Sequence, residues 1–159
     1  MDLWQQAIDF HQQKQWQLCL ETLDKLIAKF PQHIEGLRLK GNTLAEIGET
    51  DRAIQAYQIA LNLAPNCFEI NYELGRLLWR IGKHQEALPL FQTATQINPL
   101  SYQAWSDLGT TYYVLGNREE AIKCMEKSLE ISPDRADTLA SLAVIYAEKN
   151  DKEIAQNVI

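Results

Sequence analysis

Gly41, Gly75 and Gly109 lie 34 residues apart, and Ala143 holds the next place in that series. Other series keep the same interval: Gly48, Gly82, Gly116 and Asn150; Ala53, Ala87, Ala121 and Ala155; Pro31, Pro65, Pro99 and Pro133. One period held in phase by independent residue types marks a repeat protein, whose units stack because none buries its apolar face alone.

Within a unit the apolar spacing is helical. Tyr102, Trp105, Leu108 and Tyr112 recur every three or four places, Gly116-Asn117 interrupts, and Ala121, Cys124, Met125 and Leu129 resume the pattern before Ser132-Pro133. Residues 34–67 and 68–101 read the same way, as helix, tight turn, helix, short turn. Gly48, Gly82 and Gly116 follow the last apolar residue of each first helix, where glycine reaches a left-handed backbone without a Cβ penalty. Asn117 with Glu120 reads as a variant capping box, and Ser101 and Asn66 as caps of the first helices after them. Pro65, Pro99 and Pro133 end the second helices, since proline lacks an amide hydrogen and clashes with the preceding turn.

Small residues set the packing. Gly41, Gly75 and Gly109 on first helices are expected to face Ala53, Ala87 and Ala121 on second helices, with Leu44, Tyr57, Leu78, Phe91, Tyr112 and Met125 filling the space between pairs. Glycine inside a helix costs about 1 kcal/mol relative to alanine, so its recurrence points to close backbone approach.

Composition narrows function by exclusion. The formal charge of −6 comes from 21 acidic and 15 basic side chains without a basic run, which argues against nucleic acid as a partner. No stretch has the length of a membrane span and the N-terminus lacks a secretory pattern, so a soluble, cytoplasmic location is expected. Cys19, Cys67 and Cys124 are odd in number and far apart, and His11, His33 and His84 are equally scattered, so free thiols and neither a metal site nor a cofactor are expected.

Leu74-Gly75 with Leu78, Gly82, Ala87, Phe91, Ala94 and Pro99, and Trp105, Leu108-Gly109 with Tyr112, Gly116, Ala121 and Pro133, resemble the tetratricopeptide repeat. The resemblance runs through residues 1–33, 34–67, 68–101 and 102–135, with a partial fifth unit from 136 to 159. It implies an all-α fold, a right-handed α-solenoid of stacked antiparallel helix hairpins forming one repeat domain. The first unit is atypical, with Ala7 at the glycine place and Lys14, Cys19 and Leu26 at the Gly, Ala and Ala places, as suits the end of a stack. In the fifth, Leu139, Leu142, Ala143 and Tyr146 form a first helix, with Asp151-Glu153 at a turn and only a few residues of its partner helix. Ala155, Val158 and Ile159 look like residues that expect a neighbour, so the sequence reads as part of a longer protein.

The family commonly binds an extended or helical peptide on the concave surface of its first helices. Carried onto this chain, the groove positions are Arg38 and Asn42; Tyr72, Arg76, Trp79 and Arg80; Ser106, Thr110 and Tyr113; and Asp137, Ala140 and Val144. Helical spacing independently sets Tyr72, Arg76 and Arg80 on one face. Arg38, Arg76 and Arg80 have the guanidinium fork that holds a carboxylate or an acidic side chain, and Tyr72, Trp79 and Tyr113 offer flat contact area. The plainer alternative makes them solvated arginines and core aromatics, with Arg76 and Arg80 paired to Glu73 or Glu69.

Two specialised modes of the family fit poorly. The clamp for chaperone-tail carboxylates maps onto Arg38, Asn42, Glu73, Gln103 and Asp107, where the acidic members repel a carboxylate. The asparagine ladder that grips peptide backbones maps onto Asn42, Arg76, Thr110 and Val144, of which only the first conforms. Glu119-Glu120 suits a helix N-terminus, and no phosphate loop, HExxH or nucleophile with an evident base is present. His84, beside Gly82-Lys83 at a turn, reads as exposed.

The leading expectation is therefore a non-catalytic module for protein–protein interaction that takes a peptide or protein partner, acidic side chains included, in its groove. A structural oligomerisation module that self-associates, and a docking or regulatory part of a larger enzyme, are the alternatives.

Overall fold

The helices follow the period. The computed structural model describes the backbone of residues 2–157 and the side chains of residues 2–148. Its elements are α1 (Leu3–Gln12), α2 (Trp16–Lys29), α3 (Ile34–Glu46), α4 (Thr50–Leu63), α5 (Phe68–Arg80), α6 (His84–Ile97), α7 (Tyr102–Val114), α8 (Arg118–Ile131) and α9 (Ala136–Asn157). The fold is all-helical, built of stacked antiparallel hairpins. The chain divides into two compact units, Met1–Leu77 and Leu78–Ile159, the division falling inside α5.

In the first unit, Ala7, Cys19, Leu23 and Leu26 form a core between α1 and α2 that Trp4, Phe10 and Leu39 close over. Leu37, Ala60 and Ile70 form a second across α3, α4 and α5. In the second unit Ala121, Met125 and Ile145 join α8 to α9, with Tyr112, Tyr113 and Leu142 packed against them.

The tight turns share one hydrogen-bond pattern. Gly48, Gly82 and Gly116 have φ of 84°, 81° and 85°, and Lys14, at the same place in the first hairpin, has φ 56°. In the last of these turns, Gly116 N donates to Tyr113 O at 2.9 Å and Asn117 N to Tyr112 O at 2.8 Å, the paired bonds that close a helix through a left-handed residue. Gln15, Glu49 and Lys83 repeat the longer bond onto Phe10, Leu44 and Leu78.

That pattern overturns the capping box at Asn117. With ψ of 71° fixed by its backbone bond to the preceding helix, Asn117 opens α8 without a side-chain cap, and Gln15, Glu49 and Lys83 likewise open theirs without one. Side-chain caps form instead at Asp2, His33 and Ser101, with ψ of 162°, 89° and 98°, which accept from Gln5 N, Gly36 N and Ala104 N. Glu119 and Glu120 do lie in the first turn of α8.

Between hairpins the prolines fall two places beyond α2, α4, α6 and α8, as expected, while Pro89 lies exposed inside α6. The cap assigned to Asn66 is displaced by one residue, since Cys67 directly precedes α5. The turn is held instead by Asn71, whose Nδ2 donates to Pro65 O at 2.8 Å and Cys67 O at 2.9 Å. One repeat on, Trp105 Nε1 donates to Pro99 O at 2.9 Å, so the same helix position locks the same kind of turn.

The small residues act as expected, with a shift of contact. Ala53, Ala87 and Ala121 are fully buried. A Cβ on Gly41 would stand 2.9 Å from the Tyr57 ring, and one on Gly109 2.9 Å from Met125 Cγ and 3.1 Å from Ala121 O. At Gly41 and Gly109 the residue that demands glycine is thus chiefly the large one a turn beyond the alanine.

Two further expectations change. Asp151-Glu153 does not form a turn: α9 runs unbroken from Ala136 to Asn157. At the place where other hairpins reverse, the sequence supplies Asn150 instead of the glycine that enters the left-handed region freely. Ala155, Val158 and Ile159 lie outside the described side chains. His84 is half-buried against the Trp79 ring, with Nδ1 enclosed and without a partner among the described residues.

Candidate peptide-binding surface

Each unit presents its own part of the surface. In the first, Arg38 and Asn42 stand one turn apart on α3, and Tyr72, Glu73 and Arg76 follow on α5. Arg38 Nη1 donates to Glu73 Oε1 at 2.8 Å, and Asn42 Nδ2 approaches the same oxygen at 3.4 Å. The Tyr57 hydroxyl on α4 donates to Asn42 Oδ1, fixing that amide with its NH2 toward the carboxylate. Glu73 Oε2 is buried without a partner among the described residues. Burial raises the Glu73 pKa above the ordinary carboxylate value, against the pull of the Arg38 charge.

Arg38 therefore faces a carboxylate of its own chain, and Glu73 is claimed by Arg38 rather than by Arg76 or Arg80. Glu69, the other acid weighed as an arginine partner, accepts from Cys67 Sγ at 3.3 Å. Its pKa is lowered, first by a bond to its own backbone amide and then by the thiol. Arg76 is exposed, its guanidinium 5.7 Å from the Tyr72 ring centroid, and it makes no ion pair among the described residues. Tyr72 in turn stacks on Phe68 at 5.4 Å with 13° between the rings. The cation thus sits on a short aromatic ledge, an arrangement in which the ring quadrupole orients a guanidinium while leaving its N–H fork free to donate.

In the second unit, Trp79 is partly exposed and rests against His84 at 5.3 Å, and Arg80 is exposed beside it. Thr110 Oγ1 donates back to Ser106 O at 3.0 Å, which turns its hydroxyl into its own helix. Ser106 Oγ and Thr138 Oγ1 lie 3.1 Å apart, joining α7 to α9. Tyr113 OH donates to Glu148 Oε1 at 2.7 Å, while Arg118 Nε and Nη2 donate to Glu148 Oε2 at 3.2 and 3.0 Å. The carboxylate beside it raises the Tyr113 pKa.

Sequence reasoning missed Tyr57, Arg118 and Glu148, and it missed that Arg38 and Glu73 pair. A signal existed: Arg38–Glu73 and Tyr113–Glu148 are both 35 residues apart, one period plus one. In these two pairs a residue on one first helix meets the residue just after its own equivalent on the next, whereas Ser106 and Thr138 are 32 apart.

Among the described residues no group of three or more His, Cys, Asp or Glu side chains is placed to hold a metal ion, and no helix is long and apolar enough to cross a membrane. The family model described as tetratricopeptide repeat matches residues 5–66, 38–102 and 72–136.

The chain belongs to the tetratricopeptide repeat family.

Solved structures are similar to it in fold. A crystal structure of MamA aligns over 91% of this chain and 84% of its own with a TM-score of 0.86 at 24% identity. MamA from Desulfovibrio magneticus RS-1, from residue 41 to its end, aligns over 95% of this chain and 85% of its own, with a TM-score of 0.85 at 24% identity. A tetratricopeptide repeat protein from Parabacteroides merdae ATCC 43184 gives 0.86 at 21% identity, over 95% of this chain and 60% of its own. At these identities the likeness is one of fold. No curated protein sequence matches the chain.

Proposed function

We propose that this tetratricopeptide repeat chain is a non-catalytic interaction module that binds a peptide or protein segment on the exposed face of its first helices. The observation that carries this reading is Arg76, an exposed guanidinium on the Tyr72 ring with no ion pair among the described residues. A fork held over an aromatic surface suits an acidic side chain flanked by apolar groups, and arginine beside tyrosine is a usual composition of binding hot spots. Arg38, engaged by Glu73, contributes shape and polarity more than free charge. Trp79 and Arg80 extend the same helix with a second aromatic and cationic pair.

The test is selection from a displayed peptide library with the unaltered chain and with the Arg76→Ala, Arg80→Ala double variant. Enrichment of acidic peptides that bind the variant about tenfold more weakly, with unchanged helical circular dichroism, supports the assignment. Equal binding by both proteins removes the arginines from the site.

A further inference from the structure

The first helices of the first unit carry two arginines, Arg38 on α3 and Arg76 on α5, and they differ in state. Arg76 keeps its fork free on the Tyr72 ring, whereas Arg38 is occupied by Glu73 at 2.8 Å. Arg38 and Tyr72 hold equivalent places, one period apart, on neighbouring first helices. Packed helix axes lie about 8–10 Å apart, so a guanidinium released by Glu73 and the one resting on Tyr72 can serve a single bound segment. The occupant of Arg38 is thus a carboxylate of the protein's own, standing where an acidic ligand would bind. Ionised, Glu73 opposes such a ligand twice, by holding the fork and by repelling negative charge. Neutral, it does neither.

The surroundings of Glu73 make its charge costly to keep. Its Oε1 takes both donors, Arg38 Nη1 and, at 3.4 Å, Asn42 Nδ2. Its Oε2 is enclosed without a partner among the described residues, although a fork and a carboxylate can pair through both oxygens. From α4 the Tyr57 hydroxyl holds Asn42 Oδ1, which keeps the amide from accepting a proton of Glu73 there. The charges that act on Glu73 are Arg38 on α3, which favours the ion, and Glu69 one turn back on α5, which opposes it. The side chains of the pair keep 30% and 27% of their surface in solvent, so protons and a ligand both have access.

Resting on the reading of this surface as one for acidic segments, we propose that Glu73 is a proton-operated gate: ionised, it occupies Arg38, and protonated, it yields Arg38 to an acidic segment held beside Arg76.

The probe is a synthetic peptide with two cysteic acids flanked by phenylalanines, whose sulfonates stay ionised while Glu73 titrates. Its affinity for the unaltered chain, followed by calorimetry from neutral pH into the acidic range in which circular dichroism is unchanged, is expected to rise about tenfold, with uptake of a proton on binding. Glu73→Gln is expected to bind tightly at every pH, and the double variant Glu73→Gln, Arg38→Gln to lose that gain. In the free unaltered chain, the Arg38 guanidinium 15N signals are expected to shift with the same midpoint as the Glu73 carboxyl 13C signal. A pH-independent affinity overturns the proposal, as does a slope that persists in Glu73→Gln, a gain that survives in the double variant, or an Arg38 signal indifferent to Glu73. A peptide that binds none of the proteins at any pH sinks the acidic-segment reading and the gate with it, whereas binding without the pH slope sinks the gate alone.

Discussion

The guanidinium of Arg38 and the carboxylate of Glu73, 35 residues apart in sequence, meet at 2.8 Å between the first helices of adjacent hairpins. Only one carboxylate oxygen is used, and burial raises the Glu73 pKa despite the arginine. The sign of the pH effect follows from that direction. Stability from the protonated form is fully present below the ordinary glutamate pKa and is lost as pH rises through the raised one. Urea titrations across the acidic to neutral range are expected to show this loss in the unaltered chain, and Glu73→Gln is expected to flatten it. An identical pH dependence in both proteins counts against the burial of this charge.

Lys14 holds the left-handed place that glycine holds in the other tight turns. A side chain there costs about 1–2 kcal/mol, and glycine returns part of that as backbone freedom in the unfolded chain. Lys14→Gly is expected to stabilise by about 0.5–1 kcal/mol in equilibrium unfolding, and Gly48→Ala to destabilise by about 1 kcal/mol. A neutral or harmful Lys14→Gly would mean that contacts of the lysine outweigh its backbone.

Much of the fold was legible because period, glycine and proline act locally. The same residues that mark the repeat fix the turns, so helix positions follow directly from the sequence. Asn117 and Asn66 misled for a reason of geometry. Asn117 is held at ψ 71° by the bond that closes the helix before it, short of the 89° to 162° at His33, Ser101 and Asp2, whose side chains do cap, while Asn66 lies one residue too early. The surface was less legible than the turns. Which acid claims Arg38 depends on how neighbouring hairpins are offset, and that offset of one residue beyond the period is not visible until helices are stacked.

Gly41 leaves no room for a methyl group, since its Cβ would stand 2.9 Å from the ring of Tyr57. Gly41→Ala is expected to cost about 1–3 kcal/mol through displacement of that ring. The same displacement pulls the Tyr57 hydroxyl from Asn42. Combining Gly41→Ala with Tyr57→Leu is expected to recover part of the loss in denaturant unfolding. Strict additivity of the two changes would show that the ring is not what the glycine accommodates.

The thiols differ in access. Cys19 and Cys124 are buried, and burial pushes Cys124 to about 11 and Cys19 upward, while Cys67 is half-exposed. A chromogenic disulfide reagent at neutral pH is expected to modify Cys67 first, leaving Cys19 and Cys124 until denaturant is added. Rapid modification of all three in the native protein would contradict the packing around α2 and α8.

The doubled backbone bond after each left-handed residue makes chain reversal a matter of half a dozen consecutive residues. Each antiparallel helix pair can consequently assemble from near neighbours, without first bringing remote parts of the polypeptide together. Low contact order of this kind favours fast acquisition of structure, begun at any pair and spread to the next. Damage to one reversal is then felt mainly by the adjoining pairs, so cooperativity along the polypeptide is graded by distance instead of being all-or-none.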